Sequence, residues 1–267
     1  MYLEYWKLQL KPFENVPDPR FFFASPQHDE GLMRLVYSIE QKKGASVLTG
    51  GFGCGKTLLV YTLINKVLQG LYRFALVSNP LLSPKEMLAE ILRKLGHPIS
   101  GESDKASLHG KLEEVLLNNQ RGGRNTVVII DEAHVIENQN VFEEIRMLLN
   151  YHASGQFLIT LLLVGQPELT DKIKMNPALS QRVAMRYVLG PLSKVQVNEY
   201  LLHRLGVAGA AGEIFAPEAV EIVHEISGGI PRKINHLCDM SLFIGYTRNE
   251  NRVTVDIVKE AAGELSD

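Results

Sequence analysis

With 267 residues, 45% of them hydrophobic and 22% charged, the chain has the proportions of a folded globular protein with one large domain and a small one. A formal net charge of −2 excludes a protein that coats nucleic acid by charge alone. Two cysteines, Cys54 and Cys238, exclude a disulfide framework and fit a reducing cytoplasm, which is the expected location.

The opening stretch, MYLEYWKLQLKPFENVPDP, breaks every apolar run with charge or proline, so no signal peptide is expected there. Ala45–Thr49 reads as a short buried strand running into a glycine-rich loop, and Thr57–Gln69 as a helix that stops at Gly70. Further strands are expected at Arg73–Ser78, Thr126–Asp131, Phe157–Val164 and Met185–Leu189, with amphipathic helices at Lys85–Leu95, Ser107–Asn119 and Val141–Tyr151. The polar stretch Gly101–Lys111 reads as a surface loop leading into a helix. Strands that are apolar on both faces and alternate with helices predict a parallel sheet covered on both sides. After Gly190–Ser193 only helical segments follow: Lys194–Leu205, Pro217–Ser227, Pro231–Tyr246 and Val255–Leu265. The expected division is therefore an α/β domain at 1–190 and a helical domain at 191–267. The longest apolar run, Phe157–Gly165, is far shorter than the roughly 20 residues a membrane helix needs, so a membrane role would be exercised through a partner.

Gly50, Gly55, Lys56 and Thr57 fit G-x-x-x-x-G-K-[ST]. Glycines there let successive backbone N–H groups turn around phosphate oxygens, and the following helix aims its positive end at the same point. Lys56 would reach the β- and γ-phosphates, the Thr57 hydroxyl would ligate Mg²⁺, and Gly51, Phe52, Gly53, Cys54 and Leu58 complete the expected nucleotide-binding stretch. Cys54 reads as a small residue tolerated in this loop rather than a redox sensor. Seventy-five residues after Lys56, VVIIDE ends a strand in two acids: Asp131 to hold Mg²⁺ through water and Glu132 to polarise the attacking water. With another strand between, this spacing indicates the additional-strand, glutamate-catalysed class of NTPase. DEAH (131–134) does not indicate a helicase, whose core needs two such domains, and His134 reads as a polar residue at a helix start. Gln166, just past a strand in VGQPEL, is placed to sense the γ-phosphate. Arg182 and Arg186 are candidates for an arginine finger reaching a neighbour's nucleotide. Arg232, opening a helix in SGGIPRKIN, is placed to couple the γ-phosphate to movement of the helical domain. Phe21, Phe22 and Phe23 read as packing residues rather than a base-stacking platform.

The series KPFENVPDPRFFF, SVLTGGFGCGKT, VVIIDEAH, LLLVGQPEL, LSQRVAMRYVLGPLS and SGGIPRKINHLCD resembles the AAA+ ATPases of the general secretion pathway protein A (ExeA-like) group over essentially the whole chain. The resemblance implies an AAA+ core with a five-stranded sheet, a helical lid, ATP with Mg²⁺, and oligomers in which a neighbour completes each site. It implies the Walker A motif at Gly50–Thr57, the Walker B motif at Asp131 and Glu132, sensor 1 at Gln166, the finger at Arg182 and sensor 2 at Arg232. It also implies that Pro12, Phe13 and His28 lie near the adenine. Gly51 and Leu58 depart from the group's usual acidic residue and second threonine, and bear on hydrolysis rate rather than binding. Secretion members continue into a membrane span and a peptidoglycan-binding domain; this sequence ends with its helical segments, and no direct grip on the cell wall is expected.

Three jobs fit such a motor. The favoured one is a cytoplasmic ATPase that assembles or positions an envelope machine for secretion, pilus or polysaccharide export. The second is a transposition regulator of the TnsC and IstB kinds, an ATP-dependent filament on DNA that recruits a transposase. Basic residues at Arg121, Arg124, Lys172 and Lys174 give DNA weak support. The third is a slowly hydrolysing scaffold that signals by its assembly state.

Overall fold

The computed structural model describes residues 2–67, 69–99 and 103–265. In chain order the helices are α1 (Tyr2–Tyr5), α2 (Pro26–Glu40), α3 (Lys56–Lys66), α4 (Pro84–Lys94), α5 (Lys105–Arg121) and α6 (Gln139–Leu148). They continue as α7 (Glu168–Lys174), α8 (Pro177–Ser180), α9 (Lys194–Val207), α10 (Pro217–Ser227), α11 (Pro231–Thr247) and α12 (Val255–Glu264). The strands are β1 (Ala45–Gly50), β2 (Tyr72–Val77), β3 (Asn125–Ile130), the two-residue β4 (His152–Ala153) and β5 (Gln156–Phe157), β6 (Ile159–Gly165) and β7 (Val183–Leu189). The chain divides into two compact units, one of residues 29–52 and 60–189, the other of residues 1–28, 53–59 and 190–267.

The first unit holds a five-stranded parallel sheet in the order β2-β3-β6-β1-β7. β1 and β6 are buried at every position, and β3 at all but its first, because helices cover both faces. β7 is an edge strand on which Ala184, Arg186 and Val188 are exposed, so exposed and part-buried positions alternate along it. β6 lies between β1 and β3, and that is the additional strand separating the loop-bearing strand from the acid-bearing one. α4 begins with a capping box in which Ser83 and Glu86 satisfy each other's backbone N–H groups. One expectation is corrected: Lys105–Lys111 is not loop but the first turns of α5. The Asp104 carboxylate accepts from the Ser107 N–H and caps the helix there, which starts it ahead of the apolar periodicity. Gly101 and Glu102 lie outside the described residues.

The second unit is helical, with a core built from α9, α10, α11, α12 and the N-terminal segment. Ser193 and Gln196 form the capping box that opens α9. Trp6 donates its indole N–H to the Leu242 carbonyl at 2.9 Å, and Phe13 packs edge-on against Phe215 with ring centres 6.0 Å apart. Arg204, only 4% exposed, is the hub. Its guanidinium donates to the carbonyls of Pro12 and Glu14 and to the Tyr200 hydroxyl, and stacks over Phe21 at 4.8 Å. Phe22 sits edge-on to His28 and Phe23 to Tyr200, so the three phenylalanines pack as expected.

Arg204→Ala takes the guanidinium donors from the buried Pro12 carbonyl and Tyr200 hydroxyl and from the part-buried Glu14 carbonyl. It is expected to cost about 3 kcal/mol, and a thermal melt followed by circular dichroism should shift down by roughly 6–12 °C. A melt within about 2 °C of the parent would show that the clamp adds nothing net.

Candidate nucleotide site

Gly53–Leu59 belongs to the helical unit, and there the phosphate-loop motif is held from two sides. Gly53 has φ +79°, and a Cβ built on it would stand 2.7 Å from Arg232 Cβ and 3.1 Å from Ile230 Cγ2. Glycine is thus required both for the backbone angle and for the approach of α11. The Arg232 N–H donates to the Gly53 carbonyl at 3.2 Å, which brings the sensor-2 candidate onto the loop backbone itself. On the other side the His28 ring donates from Nε2 to the Cys54 carbonyl at 3.0 Å and accepts at Nδ1 from Ser25 Oγ at 2.7 Å. Burial pushes the His28 pKa down, which favours the neutral ring used in this pair of bonds. Cys54 is itself only 3% exposed, in keeping with a packing role. Lys56, 6% exposed, is the first residue of α3, followed by Thr57, so lysine and hydroxyl stand at the positive end of a helix. A loop with no room for a Cβ, a buried lysine and a helix N-terminus fit a polyphosphate. Of the residues expected near adenine, Pro12 and Phe13 are buried in the helical core and His28 lies on the loop carbonyl.

In the sheet unit three candidates follow the carboxyl ends of three adjacent strands: Gly50 closes β1, Asp131 follows β3 and Gln166 follows β6. Leu163 pairs with both Ile130 and Val47, so Gly50 and Gln166 stand level and Asp131 lies two residues short of them along the same carboxyl edge. Ligands of open parallel sheets sit outside this edge. Asp131, 5% exposed, accepts the Glu132 N–H on Oδ1 at 2.9 Å. Glu132 adopts left-handed φ 52° and ψ 30°, a conformation that costs a residue with a Cβ about 1–2 kcal/mol. The strain sits on the residue read as the base, whose carboxylate is half-exposed.

His134 follows in the short 3₁₀ turn at Ala133–Val135, with its imidazole between Glu132 and Gln166. Gln166 Nε2 lies 2.9 Å from His134 Nε2, and Glu132 Oε2 lies 3.3 Å from His134 Nδ1. Lys172 Nζ donates to the carbonyls of His134 and, at 2.9 Å, Ile136, pinning the turn. Gly165 permits this approach, since a Cβ there would meet the His134 N and Leu169 Cδ2 at 3.1 Å. The sequence reading gave neither residue this place: His134 read as a polar residue at a helix start and Lys172 as weak support for DNA. Lys172 is part-buried and committed to this turn, and Lys174 pairs with Asp171 at 2.8 Å, so two of the four basic residues counted toward DNA have local work. At the β7 side Arg182 Nη1 donates to Asn150 Oδ1 at 2.8 Å, and Arg186 Nη2 to Ser180 Oγ at 3.0 Å.

This strand order, with the phosphate-loop motif after β1 and the acidic pair after β3, defines an AAA-type P-loop NTPase. The chain belongs to the AAA domain family, whose pattern covers residues 39–173. It is 34% identical over 269 residues to general secretion pathway protein A of Aeromonas hydrophila, an alignment that covers 100% of this chain and 49% of that protein. The ExeA-like resemblance therefore holds along the whole chain, which spans about half the relative's length. Among solved structures it is similar to the ORC2 protein of Aeropyrum pernix (TM-score 0.74, 18% identity, 95% of this chain and 71% of that one). The Drosophila ORC bound to DNA is similar as well (TM-score 0.75, 19% identity, 100% and 66%). At such identities these two show the fold alone. Among the described residues no helix is long and apolar enough to cross a membrane.

Proposed function

We propose that the protein is a Mg²⁺-dependent ATPase that oligomerises with ATP and couples hydrolysis to assembling or positioning a bacterial envelope machine, on the cytoplasmic side. The observation that carries this reading is the 34% identity to general secretion pathway protein A, aligned over 100% of this chain and 49% of that protein. The functional division goes with it: a nucleotide-binding core at 1–190 and a helical lid at 191–267.

Lys56 neutralises the β- and γ-phosphates, and the amides of Gly50–Thr57 orient them. Thr57 and Asp131 are the residues that would hold Mg²⁺, which when bound supplies charge neutralisation on the phosphates. Glu132 takes a proton from the attacking water, Gln166 orients the γ-phosphate side, and Arg232 reports nucleotide state through the Gly53 contact. Arg182 acts on a neighbouring copy.

Sizing the purified chain with and without a slowly hydrolysed ATP analogue, each with and without duplex DNA, tests the reading. Assembly with the analogue alone, indifferent to DNA at physiological salt, is the expected result. Assembly that requires both would overturn it in favour of the DNA-bound transposition regulator.

A further inference from the structure

We propose that His134 is a positioning residue that ties the base, Glu132, to the γ-phosphate sensor, Gln166; this rests on the hydrolytic reading above. The three side chains form one chain of contacts: Gln166 Nε2 to His134 Nε2 at 2.9 Å, and His134 Nδ1 to Glu132 Oε2 at 3.3 Å. Chemistry fixes their direction. An amide nitrogen only donates, so His134 Nε2 accepts, and the proton of the neutral ring stands on Nδ1, facing the carboxylate. Nδ1 is buried without an aligned hydrogen-bond acceptor, and the Glu132 oxygen at 3.3 Å is in electrostatic contact with it. A small turn of that half-exposed carboxylate closes the bond or releases it.

The ring is held for this task by groups that do no chemistry. Lys172 fixes the carbonyls of His134 and Ile136, and Gly165 leaves the space that lets the turn lie against the end of β6. Gln166 and Glu132 follow adjacent strands, β6 and β3, and the imidazole contacts both. When Gln166 turns its amide toward a phosphate, it alters what His134 Nε2 accepts and hence how firmly Nδ1–H holds Glu132. Sensing of the γ-phosphate is thereby coupled to placement of the base.

Two variants separate the contacts. His134→Ala removes both, whereas His134→Asn returns an N–H near the former Nδ1. His134→Ala should lower kcat for ATP by about 10–100-fold with KM and nucleotide affinity within about 3-fold, and His134→Asn should recover most of the loss. In a Glu132→Gln background His134→Ala should have no further effect. Equal kcat for His134→Ala and parent, beside an inactive Glu132→Gln, would overturn the relay and leave the base assignment standing. An active Glu132→Gln would instead overturn the hydrolytic reading.

A second measurement does not depend on turnover. Long-range proton–nitrogen NMR of the imidazoles, with His134 assigned by its loss in His134→Asn, should show the Nδ1–H tautomer. Its Nδ1 resonance should move in Glu132→Gln and its Nε2 resonance in Gln166→Ala. An Nε2–H tautomer, or resonances indifferent to both substitutions, would overturn the proposal.

Discussion

Glu132→Gln is expected to bind ATP with near-parental affinity, to assemble, and to lose turnover by about 10²–10⁴-fold. Glutamine keeps the shape and length of the side chain but cannot take a proton from water. The Asp131 Oδ1 bond to the backbone N–H of residue 132 survives the change, so the acid expected on Mg²⁺ stays in place. The backbone adds a second measurement. A left-handed φ of 52° is costly for any residue with a Cβ, and it occurs on the residue that carries the chemistry. Glu132→Gly should therefore raise stability by about 1 kcal/mol while abolishing turnover, the pattern expected where strain serves function. If Glu132→Gln hydrolyses ATP at the parental rate, the base is another group. If Glu132→Gly is less stable than parent, the loop is not strained as its backbone angle implies.

The central strands were legible because burial on both faces turns them into continuous apolar runs, and Val127–Ile130 and Leu161–Val164 have no other reading. Their edges were less so. Phe157 looked like the start of a strand but belongs to the β4–β5 hairpin, where its ring packs beneath Gly44. A run of apolar residues cannot mark where the chain reverses. α2 went unread because its buried Leu32, Leu35 and Ile39 are interleaved with exposed Met33 and Tyr37, which blurs the helical period. The motif residues could be read because their chemistry is local: the glycine loop, lysine and threonine are contiguous, and so are the two acids.

What escaped the sequence was set by strand adjacency or by tertiary packing. Gln166 and His134 are 32 residues apart, and only the placement of β6 beside β3 brings them to 2.9 Å. Arg204 reads as one more helix arginine until its acceptors, some 190 residues earlier in the chain, are known. Lys172 and Lys174 share one short helix, yet one pins a buried turn while the other makes an exposed pair. Charge in the sequence does not distinguish the two.

The other large effect concerns Arg182. An arginine supplied by a neighbour is worth about 10³–10⁵ in turnover where phosphoryl transfer depends on it, so Arg182→Ala should fall by that order while binding nucleotide normally. In the single chain the Arg182 guanidinium is held by Asn150 Oδ1 at 2.8 Å, and Arg186 by Ser180. With the Arg146 carbonyl also 3.4 Å from Arg182 Nη1, two neutral acceptors form a weak tether for a group that must swing toward a triphosphate on assembly. The decisive experiment mixes two inactive proteins, Arg182→Ala and Glu132→Gln, in equal amounts. A site formed by the Glu132 of one subunit and the Arg182 of the next is complete, and random assembly makes such pairs at roughly one interface in four. Recovery to about a quarter of parental activity is therefore expected, and a finger acting within its own chain gives none. Arg186→Ala, predicted to stay within about 3-fold of parent, is the control. If that variant is inactive and Arg182→Ala is not, the finger is Arg186, and the Asn150 contact is an ordinary surface bond.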